Sequence, residues 1–376
     1  MKKIVIDARA YTGTTGRYAR KLIEYLEVLE SGQTDREYVI LMFSDELSAY
    51  TPKNPRFSKL AADFAHYGVA EQIGFKKFLD GLSADLVHFT MPQQPVFYKG
   101  KHVTTVHDLT LLKTYPGNKN RFIYKLKQLA GGFVFKRIAN TSEHIITPSQ
   151  FTKDDYLKFL ARSNLAARLD LDEKITVTPE SADPATVKPT PYPALVDKSY
   201  IMYVGQQSSY KNLRRLAVSH QALLTTHPSL QLAFVGKLNE SGKELKTWTE
   251  QQNYKNVVFT GFVENESELA WLYQNCRAYV FPSLMEGFGL PGLEAMSYGA
   301  PVVSSNATCL PEVYGDAAHY FDPEDVDDIT RAISEVLSDK SLRTKLIKNG
   351  YTQLKKYSWE RMSEQTLAIY MAALGR

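Results

Sequence analysis

Cysteine is scarce in this sequence: there are two among 376 residues, Cys276 and Cys309. Neither sits in a metal-ligand spacing, and so few thiols exclude a disulfide framework and point to a reducing compartment. No apolar run approaches the roughly 20 residues that span a bilayer, so any membrane contact is expected to be peripheral. Net charge is also small, +4 from 45 Lys and Arg against 41 Asp and Glu, which argues against a nucleic-acid binder. An export signal is not expected either. In Met1-Lys2-Lys3-Ile4-Val5-Ile6-Asp7 the apolar run ends after three residues, as in a first strand rather than a leader. What is present is the composition of an ordinary globular protein, 44% apolar and 23% charged, at a length suited to two domains.

Short β-branched or apolar runs alternate with helical patterns along the chain. Strands are predicted over 3–7, 38–43, 85–89, 102–106, 144–147 and 174–178, and again over 200–204, 231–235, 257–260, 278–281, 301–304 and 318–321. Between the first two strands, Leu22, Tyr25, Leu26 and Leu29 share one helical face, and helices are also predicted over 267–275 and 326–337. Strand, helix and strand in succession imply parallel sheets covered by helices. Pro179, Pro184, Pro189, Pro191 and Pro193 break the rhythm and mark a stiffened connection. The expected fold class is therefore α/β, with two doubly wound Rossmann-like domains facing across a cleft. Residues 1–183 form the first, 184–198 the linker and 199–356 the second. Ligands in open α/β sheets bind beyond the carboxyl ends of strands, so the loops after Asp7, Val106, Val204 and Phe281 are the expected site.

Those loops carry the unusual residues. Pro282 to Gly299 reads as a strand end, a loop with Gly287 and Gly289, and a helix with Pro291 at its start and Gly299 at its end. Such a loop can turn backbone N–H groups and a helix dipole toward a phosphate. Glu286 and Glu294 then serve either as an acid/base pair or as acceptors of sugar and ribose hydroxyls. The second role fits better, because Glu294 on a helix facing the sheet is expected to lie too deep for proton transfer. Gly205 opens another polar loop, in which Lys211 is placed to neutralise a diphosphate. Gly13 and Gly16 follow the first strand without a dinucleotide-binding spacing, and a plain strand-to-helix turn is as good a reading as a phosphate contact. His107 and Asp108 follow the strand over 102–106, a position that favours a site over a structural histidine. From Lys113 to Arg137 the chain holds seven basic residues, Lys119 and Lys125 among them, and no acidic one, with Phe122, Ile123, Tyr124, Phe133, Val134 and Phe135 interleaved. A solvated face is the usual explanation of such a run; a patch for anionic lipid or a phosphorylated acceptor is the functional one, with residues 75–78 as an extension.

Taken together, the motifs resemble the family-four retaining glycosyltransferases of the GT-B fold over nearly the whole chain. The resemblance rests on Glu286-Gly287-Phe288-Gly289-Leu290-Pro291-Gly292-Leu293-Glu294. It is extended by Gly261-Phe262, the segment from Leu310 to Ala318, Gly205 with Lys211-Asn212, His107-Asp108 and Gly16-Arg17-Tyr18 in the family's order. It implies a nucleotide-sugar donor held mainly by the second domain. Glu294 would bind the ribose, Phe262 would flank the base, Lys211 would bind the diphosphate and Glu286 the sugar hydroxyls. Phe288, Gly289 and Leu290 would offer backbone contacts, His107 would lie beneath the transferred sugar, and Gly16 would approach the diphosphate from the other domain. No metal or other cofactor is implied, and the final helix, about 357–376, would pack back on the first domain. Many relatives have an arginine where this chain has Gln206, which leaves more of the diphosphate's charge to Lys211 or Arg17. Pro291 also lacks an N–H at the helix start.

The implied activity is retaining hexosyl transfer, with GDP-mannose favoured as donor and a glycan or lipid-linked acceptor of a surface polysaccharide. The expected location is the cytoplasm, at the inner face of the cell membrane where Lys113–Arg137 meets it, with no nucleic-acid partner. Two other classes fit the same scaffold. A nucleotide-sugar epimerase would act on the donor without an acceptor, and a homologue without catalysis would bind nucleotide but neither transfer nor hydrolyse. A dehydrogenase ranks last for want of a dinucleotide fingerprint.

Overall fold

The computed structural model describes residues 1–13, 16–115, 121–162 and 171–375. Lys119 of the basic run therefore lies outside the described residues. The chain forms two compact units. One comprises residues 1–112, 121–180 and 358–376, and the other residues 113–120 and 181–357.

Among the described residues, the first unit has a parallel sheet of β1 (Lys2–Asp7), β2 (Arg36–Met42), β3 (Phe57–Ala61), β4 (Leu86–Phe89), β5 (His102–Thr105), β6 (His144–Thr147) and β7 (Ile175–Val177), in the order β3-β2-β1-β4-β5-β6-β7. The central strands are buried on both faces, which is why Ile4-Val5-Ile6 and Leu86-Val87 read as unbroken apolar runs. β3 was not expected from the sequence. It pairs along Tyr38–Met42 at the sheet edge, and its Phe-Ser-Lys-Leu-Ala residues alternate between buried or half-buried and exposed, so it carries no apolar run. The helix Arg17–Leu29 buries Tyr18, Ala19, Leu22, Ile23 and Leu26, a face turned slightly from the expected one: Tyr25 and Leu29 are only half-buried.

The C-terminal helix Trp359–Leu374 belongs to this unit and starts at Ser358, whose hydroxyl accepts the Arg361 N–H at 3.3 Å. Tyr370 on that helix donates its hydroxyl proton to Nδ1 of His88 in β4, at 2.5 Å, and Nε2 of His88 lies 2.8 Å from the Thr105 hydroxyl in β5. Burial pushes the His88 pKa down to about 3, so the ring is neutral and can accept at Nδ1 while donating at Nε2.

The second unit repeats the winding. β8 (Tyr200–Val204), β9 (Gln231–Val235), β10 (Val257–Gly261), β11 (Ala278–Phe281), β12 (Val302–Ser305) and β13 (Ala318–Phe321) are all parallel, in the order β10-β9-β8-β11-β12-β13. The helix Val326–Ser338 is set by Asp325, which accepts the N–H groups of Asp327 and Asp328. In each unit the winding direction reverses once, between β1 and β4 and between β8 and β11, and a crevice opens there at the carboxyl ends of the strands.

Tyr370→Phe leaves a buried imidazole nitrogen without its donor. It is expected to lower stability by about 1–3 kcal/mol with secondary structure unchanged, read from denaturant midpoints with circular dichroism. A midpoint equal to wild type would reject the helix-to-strand bond.

Candidate functional site

In the second unit Lys211 and Glu286 come from the two loops that flank the reversal between β8 and β11. The Lys211 ammonium lies 2.5 Å from Glu286 Oε1, and the two side chains are 10% and 12% exposed. The ammonium also lies 4.9 Å from the Tyr210 ring centroid and 5.2 Å from that of Phe281. Burial alone would lower the Lys211 pKa; the Glu286 charge and hydrogen bond, with Tyr203 and Tyr210, together outweigh it, and the pKa is raised. The lysine is thus held charged in an aromatic, poorly solvated setting, where a charge acts strongly on whatever shares the pocket.

The backbone around the pair is fixed at several points. Asn212, with φ 61°, donates its side-chain amide to the carbonyls of Pro282 and Pro323 at 3.1 and 2.7 Å. The N–H of Leu284 donates to the Tyr210 carbonyl at 2.9 Å, which joins the two loops directly. The Glu286 N–H donates to the Thr308 hydroxyl at 3.3 Å. Thr308 has φ 58°, a conformation that a β-branched residue adopts only under constraint.

After Glu286 the chain turns through Gly289 into the helix Leu290–Ser297. Gly289 has φ 94°, and an added Cβ would lie 2.6 Å from the Tyr314 hydroxyl and 2.7 Å from Leu310, so no other residue fits. Tyr314 donates to the Gly289 carbonyl, and the Phe288 ring packs edge-on to Tyr357 at 5.4 Å. Side chain and carbonyl are thereby turned into the unit; in the first turn Pro291 has no N–H and Gly292 donates to the Gly289 carbonyl at 3.1 Å, which leaves the Leu290 N–H outside the helical ladder. The helix ends at Gly299, φ 74°, whose N–H and that of Ala300 close on Met296 and Ala295. Glu294 is half-buried rather than deep. Its neighbours Leu293, Ala295 and Met296 take the core-facing positions, so depth does not exclude it from chemistry.

Three neighbouring strands of this sheet end in glycines of positive φ: Gly205 after β8, Gly236 after β9 and Gly261 at the end of β10. A Cβ on Gly236 would run into the Gly205 carbonyl, so the strand ends approach more closely than side chains allow. Phe262 follows Gly261 and is 69% exposed. Gln206 is exposed, with its carbonyl held by the Tyr203 hydroxyl at 2.7 Å. Gln207 turns inward toward Gly242 in the first turn of the helix Glu240–Gln251. It is 3% exposed, and neither amide atom has a hydrogen-bond partner. Among the described residues no three His, Cys, Asp or Glu side chains group as a metal site.

In the first unit, Gly16 caps the helix that begins at Arg17. A Cβ there would collide with the carbonyls of Ala10 and Tyr11, so the turn's own packing already requires this glycine. Arg17 is half-buried at the first helical position. His107 has both ring nitrogens engaged. Nδ1 lies 3.1 Å from Glu180 Oε1 and Nε2 2.9 Å from the Thr90 carbonyl, with the Tyr18 ring edge-on at 4.9 Å. Burial would lower its pKa, but the Glu180 hydrogen bond and charge, the Thr90 carbonyl and Asp108 together raise it, so the ring favours the imidazolium.

Gln207, Gly236, Thr308 and Glu180 are not expected at the site from the sequence. Gly236 alone carried a signal, since it ends a strand as Gly205 and Gly261 do. The other three depend on contacts between distant segments.

The family described as glycosyl transferases, group 1, matches residues 189–353. The chain is 33% identical to O-antigen chain mannosyltransferase B of Escherichia coli over 280 residues, covering 71% of this chain and 69% of that one. Among solved structures, sucrose-phosphate synthase of Thermosynechococcus elongatus superimposes with a TM-score of 0.77 at 17% identity over the whole of both chains. HepE of Anabaena, in complex with UDP-glucose, does so with a TM-score of 0.73 at 15% identity, covering 99% of this chain and 100% of that one.

The His107–Glu180 contact sets a pH dependence. A histidine whose folded pKa is raised above 6.5 contributes stability that is full below 6.5 and is lost as pH rises through the folded value. Glu180→Gln should lower the His107 titration midpoint, read from its ring resonances by NMR, and flatten the decline of stability across that window. An unshifted midpoint would show that Glu180 does not hold the charge.

Proposed function

The chain belongs to the glycosyl transferases of group 1 and has the GT-B fold of two Rossmann-like units, and we propose that it is a retaining hexosyltransferase acting on a nucleotide sugar. GDP-mannose is the favoured donor and a glycan or lipid-linked chain of a surface polysaccharide the acceptor. The observation that carries the reading is the Lys211–Glu286 pair at the strand-order reversal of the second sheet. The mannosyl assignment leans on the Escherichia coli relative, whose name is that of an O-antigen mannosyltransferase. The nucleotide-sugar assignment leans on the fold shared with HepE in complex with UDP-glucose.

An ammonium has three N–H donors and Glu286 takes one, so Lys211 keeps two for a diphosphate. Glu286 keeps its second oxygen for a sugar hydroxyl. The helix start at Phe288, Gly289 and Leu290 adds N–H groups toward phosphate, Glu294 accepts from the ribose and Phe262 covers the base. Gln206 completes the phosphate surroundings in this reading. His107, with both ring nitrogens engaged and its pKa raised, is held in place rather than free to transfer a proton.

During transfer the bond from the anomeric carbon to the phosphate oxygen breaks, and negative charge grows on the leaving diphosphate. Lys211 and the helix start stabilise that charge without reorganising, and no metal is invoked in the step. The acceptor oxygen bonds to the anomeric carbon on the face the phosphate leaves, and its proton passes to a phosphate oxygen. Position and electrostatics then account for the rate, with no covalent enzyme intermediate.

Lys211→Met and Glu286→Gln are each expected to lower transfer by about 10²–10³-fold, measured as radiolabelled hexose passed to acceptor, with folding checked by circular dichroism. Near wild-type turnover in either folded variant would reject the assignment, and conversion of donor alone would place the chain among the epimerases. Gln207 supplies an opposite pair of effects. Its amide is buried without partners, which costs about 1–3 kcal/mol, and a bound nucleotide would satisfy it. Gln207→Met should therefore raise the melting temperature of the free protein while reducing the thermal shift given by nucleoside diphosphates. A variant with undiminished nucleotide shift would remove Gln207 from the site.

A further inference from the structure

The helix Arg121–Thr141 in the first unit has two apolar faces. One is turned inward: Tyr124, Gly131, Phe135, Ile138 and Ala139 are buried, and the last three join the core with Val106, Ile145 and Tyr156. At about 100° per residue the opposite face carries Phe122, Leu126, Leu129 and Phe133. Leu126, Leu129 and Phe133 are 51%, 65% and 49% exposed. Single exposed apolar residues are ordinary on a protein surface, but a stripe of them along one helix marks a contact surface.

The stripe continues beyond the helix. One turn after Phe133, the Arg137 guanidinium lies 5.8 Å from the ring centroid of Phe97, in the loop between β4 and β5, and its Nε donates to the Val96 carbonyl at 3.1 Å. Phe97 is itself exposed. The same loop is tied to Gln72, which donates to the Gln94 carbonyl at 3.1 Å and accepts the Val96 N–H at 3.0 Å. The segment around Gln72 presents Val69 and Ile73, both exposed. Three segments distant in sequence thus bring apolar side chains to one connected strip.

Charge on the strip has one sign. Asp108 is the only acidic residue between positions 86 and 142, against nine Lys and Arg. Lys99, two residues after Phe97, and Lys125, which flanks the stripe on the helix, are exposed. Glu71, next to Gln72, is buried in an ion pair with Arg9 at 3.0 Å and contributes no outward charge. The expected extension over 75–78 does not take part through its aromatics, because Phe75 and Phe78 pack into the core. A second copy of the chain would set this basic strip against itself, whereas an anionic lipid surface complements both its charge and its apolar stripe. Among the described residues no helix is long and apolar enough to cross a membrane.

We propose that this face seats the chain on an anionic lipid bilayer, with Leu126, Leu129, Phe133 and Phe97 entering the boundary between head groups and acyl chains. Lys99 and Lys125 reach the lipid phosphates while their methylene stems stay against the apolar stripe. The seat is independent of glycosyl transfer, since it is read without donor or acceptor, and its failure leaves the proposed function standing. If both hold, the chain works where a lipid-linked acceptor is.

Flotation of the full chain with vesicles of phosphatidylcholine containing phosphatidylglycerol tests this, against vesicles of phosphatidylcholine alone. The wild type should float with the anionic vesicles only, less at high salt. The variant Leu126→Ser with Leu129→Ser and Phe133→Ser keeps every lysine and should bind at least about tenfold more weakly. Leu129→Trp should give a tryptophan emission that moves to the blue on anionic vesicles. Equal flotation of wild type and triple variant, or no blue shift, would overturn insertion of the stripe. Failure of the wild type to float at low salt would overturn the seat altogether. Concentration-dependent dimerisation in sedimentation, lost in the triple variant and without vesicle binding, would overturn it in favour of a second copy.

Discussion

Every parallel strand must return through a crossover, and a sheet covered on both faces must reverse its winding once. That constraint decides where this molecule can bind anything. At the reversal the loops from two adjacent strands diverge to opposite faces, and nothing of the fold itself fills the gap between them. In the second unit the loops concerned are those after β8 and β11, which deliver Lys211 and Glu286. In the first, Thr90 follows β4 beside the reversal and His107 follows β5 next to it, and the two are hydrogen-bonded. The polar chemistry of both units therefore stands at corresponding places for a topological reason.

Burying charge at such a crevice is costly unless each charge meets its opposite, and the molecule meets that cost in three ways. Arg9 is fully enclosed: two N–H groups go to Asp7 at 2.8 Å, one to the Phe64 carbonyl at 2.6 Å, and Glu71 and the Phe75 ring close the rest. Nothing in that cluster is left for a ligand, so it reads as scaffold. Lys211 is different, because Glu286 engages one donor of three. His107 lies between the two, charged and enclosed, able to act through its field rather than by donating a proton. The number of engaged donors, more than burial itself, separates structural charge from charge held ready.

Legibility in the sequence followed the length scale of the cause. Strands were readable wherever one was buried on both faces, as at Ile4-Val5-Ile6 or Ala278 to Phe281, because continuous burial demands a continuous apolar run. β3 was not readable, since an edge strand with one solvated side has no such run. The loop glycines were legible as backbone necessities, though for Gly16 the necessity lies in the carbonyls of Ala10 and Tyr11. The basic run showed its charge but not its two apolar faces, because Phe133 and Phe135 are neighbours in sequence and point to opposite sides. Whether Lys211 would meet Glu286, or His107 Glu180, depends on contacts across 75 and 73 residues that local pattern cannot encode.

Several departures of the second unit from comfortable local structure gather around the proposed site, while Asp197, Asn253 and Asn256 hold positive φ elsewhere. Asn212 and Thr308 hold positive φ, Gly205, Gly236 and Gly289 replace side chains that would collide, and Gln207 keeps a buried amide unsatisfied. The positive φ of Thr308 and the unsatisfied Gln207 amide each cost on the order of 1–3 kcal/mol. Thr308 receives the Glu286 N–H and Asn212 binds the chain at Pro282, so the strain is used to hold the carboxylate loop against the lysine loop before any ligand arrives. A site arranged in advance spends less of its binding energy on ordering itself. The same arrangement leaves the free protein less stable than its fold permits, and a ligand that satisfied Gln207 and drew on the free donors of Lys211 would recover part of the difference.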